Sequence, residues 1–266
     1  MFNINNSMKR LLSYFHYHTW LIILPLYVLF LLSLIQYVNY TVWHFLGFMS
    51  TWILIGGFGL EVGLHRYFSH GAFKCSRLTE IVLGLLGSLS LNGSPIFWKA
   101  IHVQHHRYTE TDKDPHSPIK GGWNSYLGWI VSKDSISNVK IAFSGKTMLE
   151  DKFHLFLHKH QYSLIWISFI SIFLISTSFF WLCFIPAVFL SFNQGLLVNY
   201  FCHKDYGYTN FELTNDSKNI KLLSYITFGL ALHNNHHKYP NKLNFAYNKH
   251  EYDFGYYLAR CIVKHD

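Results

Sequence analysis

The chain has 266 residues, of which half are hydrophobic and 19% are aromatic, while only 14% are charged. Soluble domains usually carry about a quarter of charged residues, so this composition excludes an ordinary soluble protein and favours an integral membrane protein. The net charge of +8 comes from basic residues dispersed along the chain. Dispersed bases do not form the clustered surface that nucleic-acid binding needs, so we expect no nucleic-acid partner.

Apolar stretches at 20–38, 42–64 and 163–198 are candidates for membrane spans. A crossing helix needs about 20 residues, so the third stretch predicts two helices, joined by a tight turn at 181–186. Lys9 and Arg10 precede the first stretch, as in a signal peptide. The run is too long for one and no small-residue cleavage site follows it, so it predicts a span. The minimum is four spans.

The basic residues predict the orientation of these spans. No Lys or Arg occurs between residues 19 and 64 or between 161 and 203. All 22 basic residues therefore fall at the N-terminus, in 65–160 or in 203–266, which four spans leave on one side. The positive-inside rule makes that side cytoplasmic, together with both termini. Cytoplasmic thiols stay reduced and Cys183 has no partner on the far side, so we expect no disulfide.

Two further segments complete the chain-order interpretation. Residues 78–97 are apolar enough for a fifth span, but a single crossing would put His65 and His102 on opposite faces of the membrane. We therefore predict a buried cytoplasmic helix or a re-entrant hairpin there. Residues 132–160 predict short surface helices. No repeat or linker divides the chain, so 1–266 is expected to be a single domain.

Three histidine clusters are the most informative feature of the sequence. Residues three and four apart share one helix face, so each HxxHH motif directs three imidazoles the same way. Imidazole suits first-row transition metals. In the first cluster the two histidines are five apart, so the helix must end or bulge between them if both are to face one centre. The clusters are His65 and His70; His102, His105 and His106; and His233, His236 and His237.

Polar residues near these clusters extend the predicted site. Asn199 and His203 are one helical turn apart at the end of the last apolar stretch, and the alternative is an interfacial anchor. Ligating histidines usually donate their second N–H to a carboxylate, which makes Glu61, Asp112 and Asp114 candidate partners. For Glu61 a capped or paired carboxylate at the membrane edge is an equal alternative. Nine imidazoles exceed what one metal ion accepts, so two metal ions are expected.

At this point the motifs resemble a known family. The segments HVQHHRYTETDKDPHSP at 102–118 and HNNHHKYP at 233–240 are similar to those of the integral-membrane acyl-CoA and acyl-lipid fatty acid desaturases, and the resemblance covers about residues 20–258. It implies an all-α integral membrane fold of four transmembrane helices with a cytoplasmic helical cap carrying a di-iron site. It also implies the ligands: His65, His70, His102, His105, His106, His203, His233, His236 and His237, with Asn199 reaching one iron through water.

The resemblance further implies O2-dependent formation of a cis double bond in an acyl chain linked to CoA, lipid or carrier protein. Electrons would come from a separate donor, a cytochrome b5-like protein or a ferredoxin with its reductase, because the chain carries no haem, flavin or iron–sulfur motif. A di-iron hydroxylase or acetylenase, and outside enzymes a metal transporter or haem protein, are the alternatives.

Some family positions differ in this chain. Glu61 replaces a usual Thr, Gly71 a frequent Arg, and Tyr126 a common His. Among the residues that line the acyl tunnel of the animal acyl-CoA enzymes, one matches and three differ, which leaves the substrate and the double-bond position open. These four positions are Trp98, which matches, and Asn92, Gly195 and Leu196.

Overall fold

The computed structural model of the chain describes residues 16–264. Within that range no β-strand occurs, only isolated bridges such as Tyr208–Asn219, and the chain is helical. The sequence-based placement of Lys9, Arg10 and the two chain ends lies outside the described residues. Nine main helices follow one another: α1 Thr19–Val38, α2 Val42–Ser69, α3 Arg77–Leu89, α4 Pro95–Tyr108, α5 Lys152–Ile175, α6 Thr177–Phe201, α7 Lys221–Ile226, α8 His233–Lys238 and α9 Phe254–Arg260. Short helical turns lie between α4 and α5, at Pro118–Lys120, Asn124–Gly128, Trp129–Val131, Lys133–Ser137, Ile141–Ser144 and Lys146–Glu150.

Three of these helices, α1, α2 and α6, are long and apolar enough to cross a membrane, judged by length and composition alone. The fourth expected span falls in α5. This helix starts at Lys152, so it joins the polar segment 152–160, predicted as separate surface helices, to the apolar stretch after it. Asp151 explains the early start, since its carboxylate caps the helix by accepting from the backbone N–H of Phe153 and His154.

The turn between α5 and α6 is at Ser176, so the prediction of a turn at 181–186 is wrong. Ser176 has extended backbone angles, and its hydroxyl accepts from the N–H of Phe179 at 3.2 Å, which starts a new helix. Pro186, the last residue of the predicted turn, lies within α6. The π-helical segment Phe180–Phe184 precedes it, and such a wide turn tolerates the missing N–H of proline.

Helix α3 lies against α2 and is too short to cross a membrane as a single helix. It has 13 residues, which corresponds to about 20 Å and is shorter than the roughly 30 Å hydrocarbon core. Gly59 allows the close approach, because a Cβ there would lie 2.6 Å from the backbone of Leu86. The chain then reverses at 90–94 into α4. This arrangement agrees with the prediction that 78–97 is not a single crossing.

The four cysteines are unpaired, as predicted. The largest apolar core packs α1, α5 and α6 together with the short turns around Trp129, and it includes Phe192 and Leu196 of α6. The histidines at or just after the C-terminal ends of α2, α4 and α6 lie together at one end of the helices. Helix α8 joins them there.

Candidate metal centre

The first histidine pair is brought onto one face by the shape of α2. From Ile53 to Ser69 this helix is π-helical, with hydrogen bonds from each residue to the fifth before it, such as His70 N–H to His65 C=O at 3.3 Å. A π-helical turn is wider than the 3.6 residues of an α-helix, so residues five apart come close to alignment. The helix ends at His70. The prediction that the helix must bulge or end between the two histidines is confirmed.

The second and third clusters each occupy one short helix. Ser94 starts α4 by accepting from the N–H of Phe97, and Pro95 occupies the first turn, where its missing N–H costs nothing. Helix α8 has only six residues and is held from outside by its two asparagines. Asn235 donates to the Phe245 carbonyl at 2.8 Å and to Glu251 at 3.0 Å. Sequence analysis had given no role to these asparagines, which support the helix that carries the third cluster.

The imidazole Nε2 atoms converge in two groups. In the first, the Nε2–Nε2 distances are 2.7 Å for His70–His102, 3.1 Å for His106–His102, 2.8 Å for His106–His236 and 3.2 Å for His65–His236. We call these five residues set A.

The second group contains the other four histidines. Its Nε2–Nε2 distances are 3.0 Å for His203–His233, 3.0 Å for His237–His233 and 3.3 Å for His105–His237. We call these four residues set B.

His70 and His236 of set A and His105 of set B are held in the neutral form that binds metals. Burial, reinforced by Arg66 and Lys99, lowers the pKa of His70 to about 3. Burial together with neighbouring imidazoles also lowers the pKa well below its usual value for His105 in α4 and for His236 in α8. A neutral imidazole has a free lone pair, so no proton has to leave before metal binding.

Carboxylates orient one member of set A and two of set B through Nδ1. Glu61 accepts from His65 at 3.0 Å, Asp114 from His105 at 3.0 Å, and Glu110 from His203 at 2.9 Å. A carboxylate can only accept, so each of these imidazoles carries its proton on Nδ1 and presents the Nε2 lone pair to its set.

The structure places two of the three carboxylates proposed from sequence at the site and corrects the third. Asp112 is exposed, and the recorded hydrogen bond is from Lys120 to its backbone carbonyl, so it does not contact a histidine of either set. Glu110 occupies the role instead. Its backbone is left-handed, with φ at 60°, which turns its side chain toward His203. Its place in the ETDKDPH segment was the only sequence signal that could have suggested it.

A cavity next to the two sets is lined by Asn199, by His105 and His233 of set B and by His102 of set A. It leaves room for about one water molecule, and both Trp98 and Gly195 line it. Asn92 lies beside it, since its Oδ1 would be 3.7 Å from a Cβ on Gly195. Leu196 is 1% exposed in the apolar core and does not line the cavity. Consecutive helix residues point about 100° apart, so Gly195 and Leu196 do not both face it.

The donor atoms fit first-row transition metal ions. Two imidazole nitrogens bound at right angles, each about 2.1 Å from one ion, are about 3 Å apart. The Nε2 separations of 2.7–3.3 Å in both sets match that spacing. A nitrogen-only donor set suits iron, zinc or copper better than magnesium or calcium, which prefer oxygen.

Comparison with known proteins gives the family. The sequence model of the fatty acid desaturases matches residues 41–252, which contain all nine histidines of sets A and B. The chain belongs to the fatty acid desaturase family. Delta-9 acyl-lipid desaturase 2 of Arabidopsis thaliana is 30% identical over 83% of this chain and 72% of the relative. The sn-1 stearoyl-lipid 9-desaturase of Anabaena variabilis is 34% identical over 71% of this chain and 68% of the relative.

A third relative bears on the alternative activity. The hex-5-enoyl-[acyl-carrier protein] acetylenase of Moorena producens (strain JHB) is 27% identical over 84% of this chain and 76% of the relative. The resemblance stated from the histidine motifs is confirmed. Membership of this desaturase family and the relatives together support fatty acyl desaturation as the activity of the chain.

Proposed function

We propose that this desaturase introduces a cis double bond into a fatty acyl chain in an O2-dependent reaction at a di-iron centre. The observation that carries the proposal is the division of nine imidazoles into two sets whose Nε2 atoms converge. One iron would be held by set A and the other by set B, with Asn199 beside set B as a water-mediated contact. The nine histidines exceed the donors that one ion accepts.

Bound iron would supply the oxidation of an unactivated methylene pair by O2, a step beyond the reach of any side chain. The overall reaction balances as one –CH2–CH2– unit, O2, two electrons and two protons giving one –CH=CH– unit and two waters. This chain's residues would contribute position and exclusion of water. Trp98, Ile101 and Trp129 form an apolar wall of the cavity next to His105 and His233, and the acyl methylenes would lie against it.

The same proposal covers topology and partners. Four spans, α1, α2, α5 and α6, would leave both termini and the histidine sets on the cytoplasmic side, because every basic residue lies in segments that four spans place together. The two electrons would come from a separate carrier, such as a cytochrome b5-like protein or a ferredoxin with its reductase. The substrate would be an acyl group linked to CoA, lipid or carrier protein.

The test is expression in a host of known fatty acid composition. Wild-type protein should add a new double bond to host acyl chains, detected by gas chromatography and mass spectrometry of derivatised lipids, and purified protein should contain two irons per chain. His106→Ala in set A and His237→Ala in set B should each abolish the product and lower iron content. His250→Ala is the matched control, because His250 is exposed and lies outside both sets.

His158 also lies outside both sets but is unsuitable as a control. Its Nδ1 lies 2.7 Å from the hydroxyl of Ser94, which caps the helix of the second cluster. Active protein with one iron per chain, or substantial product from His106→Ala, would refute the proposed centre.

An acetylenase is the second candidate function, because one relative of similar coverage has that name. The two reactions use the same site and differ in whether the acyl chain enters saturated or already unsaturated. The lipid analysis separates them, since an acetylenase would give a triple bond from a host supplied with the corresponding alkene. A hydroxylase would give a product heavier by one oxygen.

A further inference from the structure

A buried group of three charged side chains lies directly behind His65. Glu61 and Arg66 are fully buried in α2, and Asp253, just before α9, is 1% exposed. Arg66 donates from Nε and Nη2 to Glu61 Oε1 at 3.0 and 2.9 Å, and from Nη2 to Asp253 Oδ1 at 2.7 Å. Its Nη1 donates to the Leu243 carbonyl. The guanidinium is thus bound on several sides.

This arrangement leaves one carboxylate oxygen of Glu61 to accept a hydrogen bond from His65, which is the proposed metal ligand. Because Arg66 occupies Oε1, only Oε2 faces His65, where it accepts from Nδ1 at 3.0 Å. Asp253 is fixed in turn, since its carboxylate accepts from the N–H groups of Phe245 at 2.6 Å and Tyr256 at 3.0 Å. A chain of charge-assisted hydrogen bonds therefore runs from the start of α9 to one histidine of set A.

The surrounding backbone makes room for this group. Gly229 has φ of +98°, and a Cβ there would collide with the Asp253 carboxylate. A Cβ at Gly255 would lie 2.9 Å from Glu61 Cγ and 3.0 Å from Arg66 Nη2. Two glycines on different segments thus leave space for the same three side chains. Two carboxylates and one guanidinium carry one net negative charge, and a cation held by set A would lie on the other side of the His65 ring from it.

We infer that Arg66 and Asp253 are positioning residues for His65 and tune the retention of the metal in set A. They hold the Glu61 carboxylate at the angle that keeps the proton on Nδ1 and the Nε2 lone pair toward the metal. Arg66 also contacts Phe245, the aromatic residue that packs against set A. Arg66 Cζ lies 4.0 Å from the centre of the Phe245 ring, and that ring packs 4.7 Å from His236 and 5.6 Å from His65. The inference rests on the proposed di-iron centre.

The test is release of iron from the purified, iron-loaded full chain to an added chelator. Wild-type protein with two irons should release them in two phases, one for each set. Asp253→Asn keeps the shape of the side chain but removes its charge, and it should accelerate one phase by about ten- to 100-fold while leaving the other unchanged. Mössbauer spectra of the same samples should show an altered environment for one iron of the two.

The matched control is Asp151→Asn. Asp151 also caps a helix and pairs with an arginine, Arg77 at 2.8 Å, but the helix that it caps is α5, which carries no histidine of set A or set B. That variant should change neither phase. Glu61→Gln provides a second test without touching the start of α9, and it must accelerate the same phase as Asp253→Asn.

Two results would overturn the inference while the proposed centre stands. In the first, Asp253→Asn changes neither phase of iron release. In the second, it accelerates both phases equally, which would indicate a general loss of stability. Wild-type protein that takes up no iron would instead overturn the proposed function and this inference with it.

Discussion

Each of the nine imidazoles presents Nε2 to the other members of its set, so the group on its Nδ1 side decides how firmly the ring is held. His105 shows this most clearly. Its Nδ1 contacts Asp114, which is fully buried and also accepts from the N–H groups of Glu110 and His116. Asp114 therefore orders both a ligand and the turn beside it, whereas Asp112, two residues earlier, is exposed.

We predict that Asp114→Asn lowers metal affinity by about ten- to 100-fold and that Asp112→Asn leaves it unchanged. An amide can present its NH2 to the imidazole and permits the wrong tautomer, so His105 would lose its fixed orientation. Iron content after dialysis against a graded series of chelator concentrations measures the difference. Equal loss in the two variants would show that the turn, and not the Asp114 contact, controls binding.

Gly195 is the residue through which this chain could most directly set the shape of its cavity. A Cβ at this position would lie 3.2 Å from Cη2 of Trp98, a close contact on the cavity wall. We predict that Gly195→Ala narrows the cavity and shifts the products toward shorter acyl chains or another double-bond position, while two irons remain bound. Gas chromatography with mass spectrometry of derivatised lipids measures the ratio of these products.

Leu196→Trp is expected to behave differently from Gly195→Ala. Leu196 is in the packed core, so a larger ring there overpacks it and should cost stability of about 1–3 kcal/mol without a specific change of product. A changed double-bond position in folded Leu196→Trp protein, with Gly195→Ala giving wild-type products, would show that Leu196 and not Gly195 lines the acyl path.

At the scale of elements, the contact between α2 and α3 holds the first histidine pair in place. At Gly59 the α2 backbone lies directly against Leu86 of α3, and backbone cannot move aside as a flexible side chain can. Gly87 makes the reverse contact, since a Cβ there would lie 2.7 Å from Leu64, next to His65. Small residues on both helices therefore determine how closely α3 packs against α2.

We predict that Gly59→Ala destabilises the protein by about 1–3 kcal/mol, because the added methyl has no space. The midpoint of thermal unfolding in detergent should fall, and iron content should fall with it as α2 shifts. The control is Ala72→Gly, in the loop after α2. It also changes one methyl group, but it lies outside the contact between α2 and α3. An unchanged midpoint for Gly59→Ala would mean that the two helices separate easily and that their contact does not support the site.

At the scale of the whole molecule, the topology decides whether sets A and B are reached from the cytoplasm. We predict that reporters fused after Tyr40 and after Ser176 lie on the far side of the membrane, and reporters fused after Asp134 and Asp266 lie in the cytoplasm. The second site is Ser176 because α5 ends there. A far-side signal after Asp134 would contradict a shared site, since it would place α3 or α4 across the membrane.

The sequence alone determined which donors the chain has and roughly where they lie. Helical period and apolar runs are local properties, so the HxxHH faces, the bulge required between His65 and His70 and the apolar helices could all be predicted. The membrane topology and the ligand assignments remain predictions.

Only the tertiary structure decided how these parts combine. It divides nine histidines into a set of five and a set of four through their Nε2 contacts, gives Glu110 and not Asp112 to His203, and joins Asp253 to Glu61 across 192 residues of sequence through Arg66. It also places the α5–α6 turn at Ser176, where a capping serine, and not the more conspicuous proline, starts the helix. These outcomes depend on contacts between distant segments, and residue spacing within one segment does not contain that information.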